Sequence, residues 1–276
     1  MYDRPETAAA NDRLWAGIRD GLRSHGIAAP DTLTRGANAY WDAWTAADLV
    51  FSQTCGFPFR AKLHDKVTLI GTPDYGLPDC PPGHYTSVYV ARKTDPRQSL
   101  AEFSGAPFAY NEALSQSGWA APQNHAAALG LRFLPAHCSG GHRLSALAVV
   151  EGKADFAALD ALTWALLCQY DDFTASLKEI GRTAPPTPVL PYITAKGADA
   201  DLFFAVTAAA GVWWAYLALW LLPLLTWYQV ISRIRNIAEH AVVGNNDDRL
   251  RNTRTTLTNW VMRMVLAPYW VNYHLE

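Results

Sequence analysis

Apolar residues recur at Leu14, Trp15, Ile18 and Leu22 with helical spacing, and His25-Gly26 follows as a stop, which predicts an amphipathic helix near the start of the chain. Short apolar runs at Asp48–Ser52 and Lys66–Ile70, the second closed by Gly71-Thr72-Pro73, predict buried strands, and the alternation of Tyr85–Ala91 predicts another. A second group follows: strand Phe108–Tyr110, a helix after Ser117, strand Arg132–Ala136, helix His142–Glu151, strand Asp155–Leu159 and helix Ala161–Cys168. Strands alternating with helices predict an α/β fold with parallel pairing and crossover connections. Leu177–Gly181 and Pro191–Thr194 read as the chain returning to the first group, and Pro185-Pro186-Thr187-Pro188 as a crossing between two lobes.

The texture changes near Ala210. Leu202–Ser232 contains no Asp, Glu, Lys or Arg. Its centre, Trp213–Tyr228, is long enough to cross a hydrocarbon core of ~30 Å, and Trp213, Trp214, Trp227 and Tyr228 mark its ends as an aromatic belt would. A membrane helix over about 212–231 is the expectation, with a buried core helix as the alternative because Pro223, Thr226 and Gln229 interrupt the run.

Half of the 276 residues are hydrophobic, enough for a substantial core, and the formal charge of -2 supplies no basic field for nucleic acid. Cys55, Cys80, Cys138 and Cys168 stand apart without zinc spacing and read as buried small hydrophobes. Two acids among the first six residues, without an apolar stretch, give no export signal in the sequence as it stands, so membrane association is expected through the later apolar segment.

Candidate chemistry gathers at three strand ends. Tyr110–Trp119 runs from a strand through Ser115, Gln116 and Ser117 into a helix, where unpaired amides and hydroxyls can cradle phosphate-like oxygens. Either serine could instead be a plain N-cap. Ser139-Gly140-Gly141-His142 repeats the pattern of a glycine turn and a donor at a helix start, although a lone His is often only a surface residue. Asp160 ends a strand where open α/β sheets bind ligands, or else caps the next helix.

The order of Met1–Glu6, Ser52–Gly56, Ser115–Gly118, Gly141-His142 and Gly152–Asp155 resembles the solute-binding proteins of phosphate/phosphite/phosphonate-type ABC transporters, over about residues 1–210. The resemblance implies a two-lobed type 2 periplasmic-binding-protein fold, lobe 1 at about 1–91 and 182–210 and lobe 2 at about 92–181. It implies a small phosphate- or phosphonate-like anion between the lobes, contacted by Tyr2, Thr54, Ser115, Gln116, Ser117, His142 and Asp160, and an ABC permease as partner. Gln116 stands where a small hydroxyl residue is expected, and the first strand, which relatives place before the Tyr-Asp-Arg-Pro turn, is expected to be lacking.

Residues 211–276 resemble the C-terminal part of membrane fatty acid desaturases, through Arg235-Asn236-Ile237-Ala238-Glu239-His240 and Asn272-Tyr273-His274-Leu275-Glu276. That resemblance implies His240 and His274 as iron ligands, too few for a di-iron site, and no other histidine pair has box spacing. The alternative function is therefore a desaturase-like di-iron oxidoreductase as a truncated, inactive fragment, with iron as a cofactor on that reading alone; no cofactor is expected on the anion-binding reading. A joined product with neither activity is a third reading. Arg233, Arg235, Arg249, Arg251 and Arg254 follow the apolar segment and would hold that side in the cytoplasm, leaving the globular part facing outward, in conflict with the missing export signal.

Overall fold

Pro5 opens the first helix, α1 (Pro5–Ser24), at a position where its missing N–H costs nothing, and the Thr7 hydroxyl accepts the Arg4 N–H at 3.0 Å. The computed structural model describes residues 2–36 and 39–210, with Leu225 alone beyond them, and divides the chain into Met1–Ala210 and Gly211–Glu276. Trp15, Ile18 and Leu22 of α1 are buried as their spacing predicts, whereas Leu14 is exposed.

After α1 come α2 (Trp41–Thr45), β1 (Ser52–Gln53), α3 (Gly56–Pro58), continuing as a π turn to Leu63, and β2 (Val67–Gly71). Then follow β3 (His84–Tyr85), β4 (Ser87–Arg92), β5 (Pro107–Tyr110), a π turn over Gln116–Ala120 leading into α4 (Ala121–Ala128), β6 (Leu134–Cys138), α5 (His142–Val150), β7 (Phe156–Asp160) and α6 (Ala161–Tyr170). The chain continues through β8 (Leu177–Arg182), β9 (Thr187–Pro188), β10 (Tyr192–Ala195) and α7 (Ala200–Ala210).

Two sheets organise these elements. The first has the order β1-β10-β2, with both pairings antiparallel. Of the predicted strand Asp48–Ser52 only Ser52 pairs, joined by Gln53 beyond its predicted end, and among the described residues β1 has a strand neighbour on one side only. Helices α1 and α7 cross closely: a Cβ on Gly21 would lie 2.6 Å from Val206 Cγ1, so glycine permits the contact that covers Ile70 and Phe203.

The second sheet has the order β6-β5-β7-β4-β8. Here β5 is parallel to β6 and β7, as alternation predicts, but β4 runs against both β7 and β8. The reason is topological: the chain enters this half through β3 and β4 and leaves through β8 and β9, and β3 pairs antiparallel with β9, His84 opposite Pro188 and Tyr85 opposite Thr187. Two expectations shift accordingly. Leu177–Gly181 is not a return to the first sheet but the edge strand of the second, and the exchange on entry falls at Tyr85–Ser87 instead of near residue 91.

Phe103, Phe108, Phe133 and Phe156 stack on one face of the second sheet, and Val88, Val90, Leu159 and Leu167 fill the other. Among the described residues no helix is long and apolar enough to cross a membrane. The predicted span at about 212–231, apart from Leu225, lies outside the described residues, as do His240 and His274.

Candidate functional site

The three parallel strands of the second sheet end on one side, and each carboxyl end feeds a loop that starts a helix. From β5 the chain turns through Asn111–Leu114 to Ser115; from β6 through Ser139-Gly140-Gly141 to His142; from β7 directly into α6 at Asp160. This is where open α/β sheets place ligands.

Ser115, Gln116, Ser117 and Asp160 are nearly fully buried. Ser115 is an N-cap, its Oγ accepting the Gly118 N–H at 3.0 Å. Gly118 is required there, since a Cβ would sit 1.9 Å from Asn111 Oδ1. Ser117 Oγ meets His142 Nε2 at 2.9 Å, joining the loops after β5 and β6. Burial pushes His142 down to about 4, which keeps the ring neutral, and its Nδ1 has no hydrogen-bond partner.

Asp160 answers both readings of its position. Oδ1 accepts the Thr163 N–H at 2.9 Å as a cap of α6, and Oδ2 accepts the Tyr2 hydroxyl at 2.9 Å. Burial raises its carboxyl to about 6, against the pull of the Thr163 amide and the Tyr2 hydroxyl. Tyr2 holds a left-handed backbone, φ 55°, and its ring meets Tyr75 edge-on at 5.4 Å. Gln116 reaches the other half as well, Oε1 accepting from Arg60 at 2.6 Å.

Thr54 comes from the turn after β1. Its N–H donates to the Pro191 carbonyl at 3.0 Å, while its fully buried Oγ1 has no partner. The structure thus brings Tyr2, Ser115, Gln116, Ser117, His142 and Asp160 to one end of the second sheet, where the two halves meet, and tethers Thr54 to Pro191 within the first half.

Sequence reasoning passed over Cys55 and Tyr85. Cys55 is buried at the N-cap position of α3, and burial pushes its thiol up to about 11 against the opposing pull of nearby backbone amides, that of Gln116 first. Tyr85 is buried, its hydroxyl facing Cys55, Asp160 and Ser117 without a hydrogen-bond partner. The signal in the sequence was the Ser-Gln-Thr-Cys-Gly turn between a strand and a helix. Cys138 and Cys168 are exposed and Cys80 half-buried, so burial holds for Cys55 alone. Buried polar atoms without partners are uncommon in native proteins, and two of them, Tyr85 Oη and His142 Nδ1, belong to this cluster.

Comparison with curated proteins finds no match. Among solved structures, PhnD1 from Prochlorococcus marinus in complex with methylphosphonate is 17% identical, with a TM-score of 0.57 over 75% of this chain and 80% of that one. A binding-protein component of an ABC phosphonate transporter from Pseudomonas aeruginosa is 17% identical, with a TM-score of 0.52 over 73% and 69%. XAC2383 from Xanthomonas citri, bound to chloride ion, is 16% identical, with a TM-score of 0.54 over 74% and 79%. These likenesses show a periplasmic-binding-protein-like α/β fold. A fatty acid desaturase family model matches residues 158–276, overlapping the end of the domain just described. The model described as ABC transporter, phosphonate, periplasmic substrate-binding protein matches residues 46–210, more than half of the chain, and the protein belongs to that family.

Proposed function

We propose that residues 1–210 form a solute-binding domain that holds a small phosphate- or phosphonate-like anion between its two lobes and presents it to an ABC permease. Family membership supports solute binding in general and an extracytoplasmic or membrane-associated location. The observation that carries the particular reading is the pairing of Ser117 with His142 and of Tyr2 with Asp160 at the carboxyl ends of the parallel strands, with a buried His142 nitrogen left unpartnered.

In this reading the anion displaces the Cys55 thiol from the Gln116 and Ser117 amides, and the Ser117 hydroxyl adds a donor. Neutral His142 offers one N–H and one lone pair. Asp160, easily protonated, accepts from a protonated ligand oxygen or donates to a bare one. Charge on the anion is met by oriented amides and hydroxyls, as at other helix starts.

Calorimetric titration of the full chain with phosphate, phosphite and methylphosphonate tests the proposal. Binding of at least one, abolished by Ser117→Leu in a folded variant, is the expected result; no binding of any overturns it. The desaturase match favours a second reading, a membrane di-iron oxidoreductase. The described residues hold no group of three or more His, Cys, Asp or Glu placed to bind a metal, and His240 and His274 are the two histidines beyond them. Two imidazoles do not fit a di-iron centre. Two irons per chain in the purified, detergent-solubilised protein, with turnover, would reverse this preference.

A further inference from the structure

Away from the cleft, the first sheet ends in two lysines set side by side. Ala195 of β10 and Val67 of β2 are the last pair of an antiparallel ladder, so the residues just past it, Lys66 and Lys196, adjoin. Their backbones are fixed. The Lys66 N–H donates to the Leu63 carbonyl at 2.8 Å, and the turn after Lys196 is held by the Gly197 N–H, which donates to Thr68 Oγ1 at 3.0 Å.

Like charges facing one another across a ladder repel. Among the described residues Lys153 is the lysine that pairs with a carboxylate and Lys178 donates to two carbonyls, whereas Lys66 and Lys196 do neither. Asp48 and Asp65, exposed on neighbouring turns, form no ion pair with either lysine and leave both ammonium groups available to one compact anion.

Both lysines line an open cavity of about 550 Å³, together with Trp44, Thr45, Ala46 and Ala47 at the end of α2. The polar groups of that wall are already engaged: the buried Trp44 indole N–H donates to the Gln53 carbonyl at 3.2 Å, and the Thr45 hydroxyl donates to the Trp41 carbonyl at 2.7 Å. One wall is therefore cationic and the other apolar, and no residue of either belongs to the cleft.

We propose that this cavity is a second anion site for an organic phosphomonoester, its phosphate between Lys66 and Lys196 and its carbon part against Trp44, Ala46 and Ala47. A phosphomonoester carries nearly two negative charges at neutral pH, which matches the lysine pair, and lysine binds phosphate as a point charge. A carboxylate brings one charge and leaves the pair half-neutralised. A soluble metabolite and a phosphatidic acid headgroup offer the same chemistry.

Calorimetric titration of the full, detergent-solubilised chain with glycerol 3-phosphate, glycerate and dibutanoyl phosphatidic acid, in the parent and in Lys66→Gln/Lys196→Gln, tests the site. Both lysines are exposed, so the double variant is expected to keep the parent's thermal transition, and any binding in the cleft is common to the two proteins. The double variant is expected to lose a glycerol 3-phosphate site, its affinity there falling at least about tenfold, and glycerate is expected to fill that site at least about tenfold more weakly than glycerol 3-phosphate in the parent. Tighter lysine-dependent binding of the lipid than of glycerol 3-phosphate identifies a membrane headgroup as the occupant, and the reverse identifies a soluble phosphate. Equal affinity of parent and double variant for both phosphates, or no binding of either by the parent, overturns the proposal. Lysine-dependent binding of glycerate as tight as that of glycerol 3-phosphate overturns the phosphate class.

Discussion

His142 and Asp160 are both buried at the meeting of the halves, and they pull the pH dependence of stability in opposite directions. His142 is lowered from 6.5 to about 4, so between those values the unfolded chain binds a proton that the folded one refuses, and stability falls as pH drops. Asp160 is raised from 3.8 to about 6, so across that window the folded state holds the extra proton and stability rises as pH drops. Each effect is on the order of 3 kcal/mol, and in the intact protein they nearly cancel between about 4 and 6. Separating them exposes the two slopes. Asp160→Asn should lose stability steadily on acidification from pH 6.5, and His142→Gln should gain it from pH 6, as read by urea denaturation at a series of pH values. Two variants with the same slope would show that one of these groups is solvated. Of the seven candidate positions, Ser115, Ser117, His142 and Asp160 could be named from strand ends that lead into helix starts, where Ser115 and Asp160 also serve as plain N-caps, whereas Tyr2, Thr54 and Gln116 were named through the family resemblance. Cys55 and Tyr85 were not, because a cysteine and a strand tyrosine look like core until a partnerless hydroxyl is seen.

At the scale of elements, the start of the helix carrying Ser117 depends on a residue with no side chain. Gly118 lies against Asn111, and Gly118→Ala would drive a methyl group into the Asn111 amide, 1.9 Å from Oδ1 and 2.9 Å from Cγ. The Asn111 carbonyl also accepts the Gly140 N–H at 2.9 Å, so a shift of this loop is passed to the turn that positions His142. A loss of about 1–3 kcal/mol is expected, with anion affinity falling together with it. Wild-type stability and affinity in Gly118→Ala would mean that the loop yields freely. Helices α1, α5 and α6 were readable within a few residues because apolar residues recur on the face each buries, and strands β5 and β7 because they are short apolar runs, β7 being buried at every position. Strand direction was not readable in the same way. Ser87–Arg92 is apolar whichever way it runs, and only its entry beside the departing β8 makes it antiparallel to β7. The Gln116–Ala120 π turn was likewise hidden, since its sequence carries helix signals and the extra residue follows from the fit of Ser115, Gly118 and Asn111.

For residues 1–210 as a whole, the halves are joined by two passages of chain, Tyr85–Ser87 and Thr183–Thr187, braced by the β3–β9 pair. Joints of so few residues permit hinge motion. Across the gap the halves are held by Tyr2 on Asp160, Arg60 on Gln116, and Arg4 on Asp171. The last has the most protected charges, with side chains 17% and 7% exposed, whereas Arg60 is exposed and contributes little. Asp171 also holds Arg143 at 2.8 Å within its own half, so Arg4→Met leaves the carboxylate partnered while removing its link to α1. The cost to the closed arrangement is on the order of 2 kcal/mol, below that of an orphaned buried charge, and shifts the open-to-closed ratio by about thirtyfold. Without ligand, Arg4→Met is therefore expected to show a larger radius of gyration than the parent in small-angle X-ray scattering. Saturating anion should restore the parent value, because binding energy realised only across the closed gap offsets the missing ion pair. Identical scattering from both proteins without ligand would mean that Arg4 and Asp171 do not control closure. An expanded variant that the anion fails to compact would place the binding energy on one half alone.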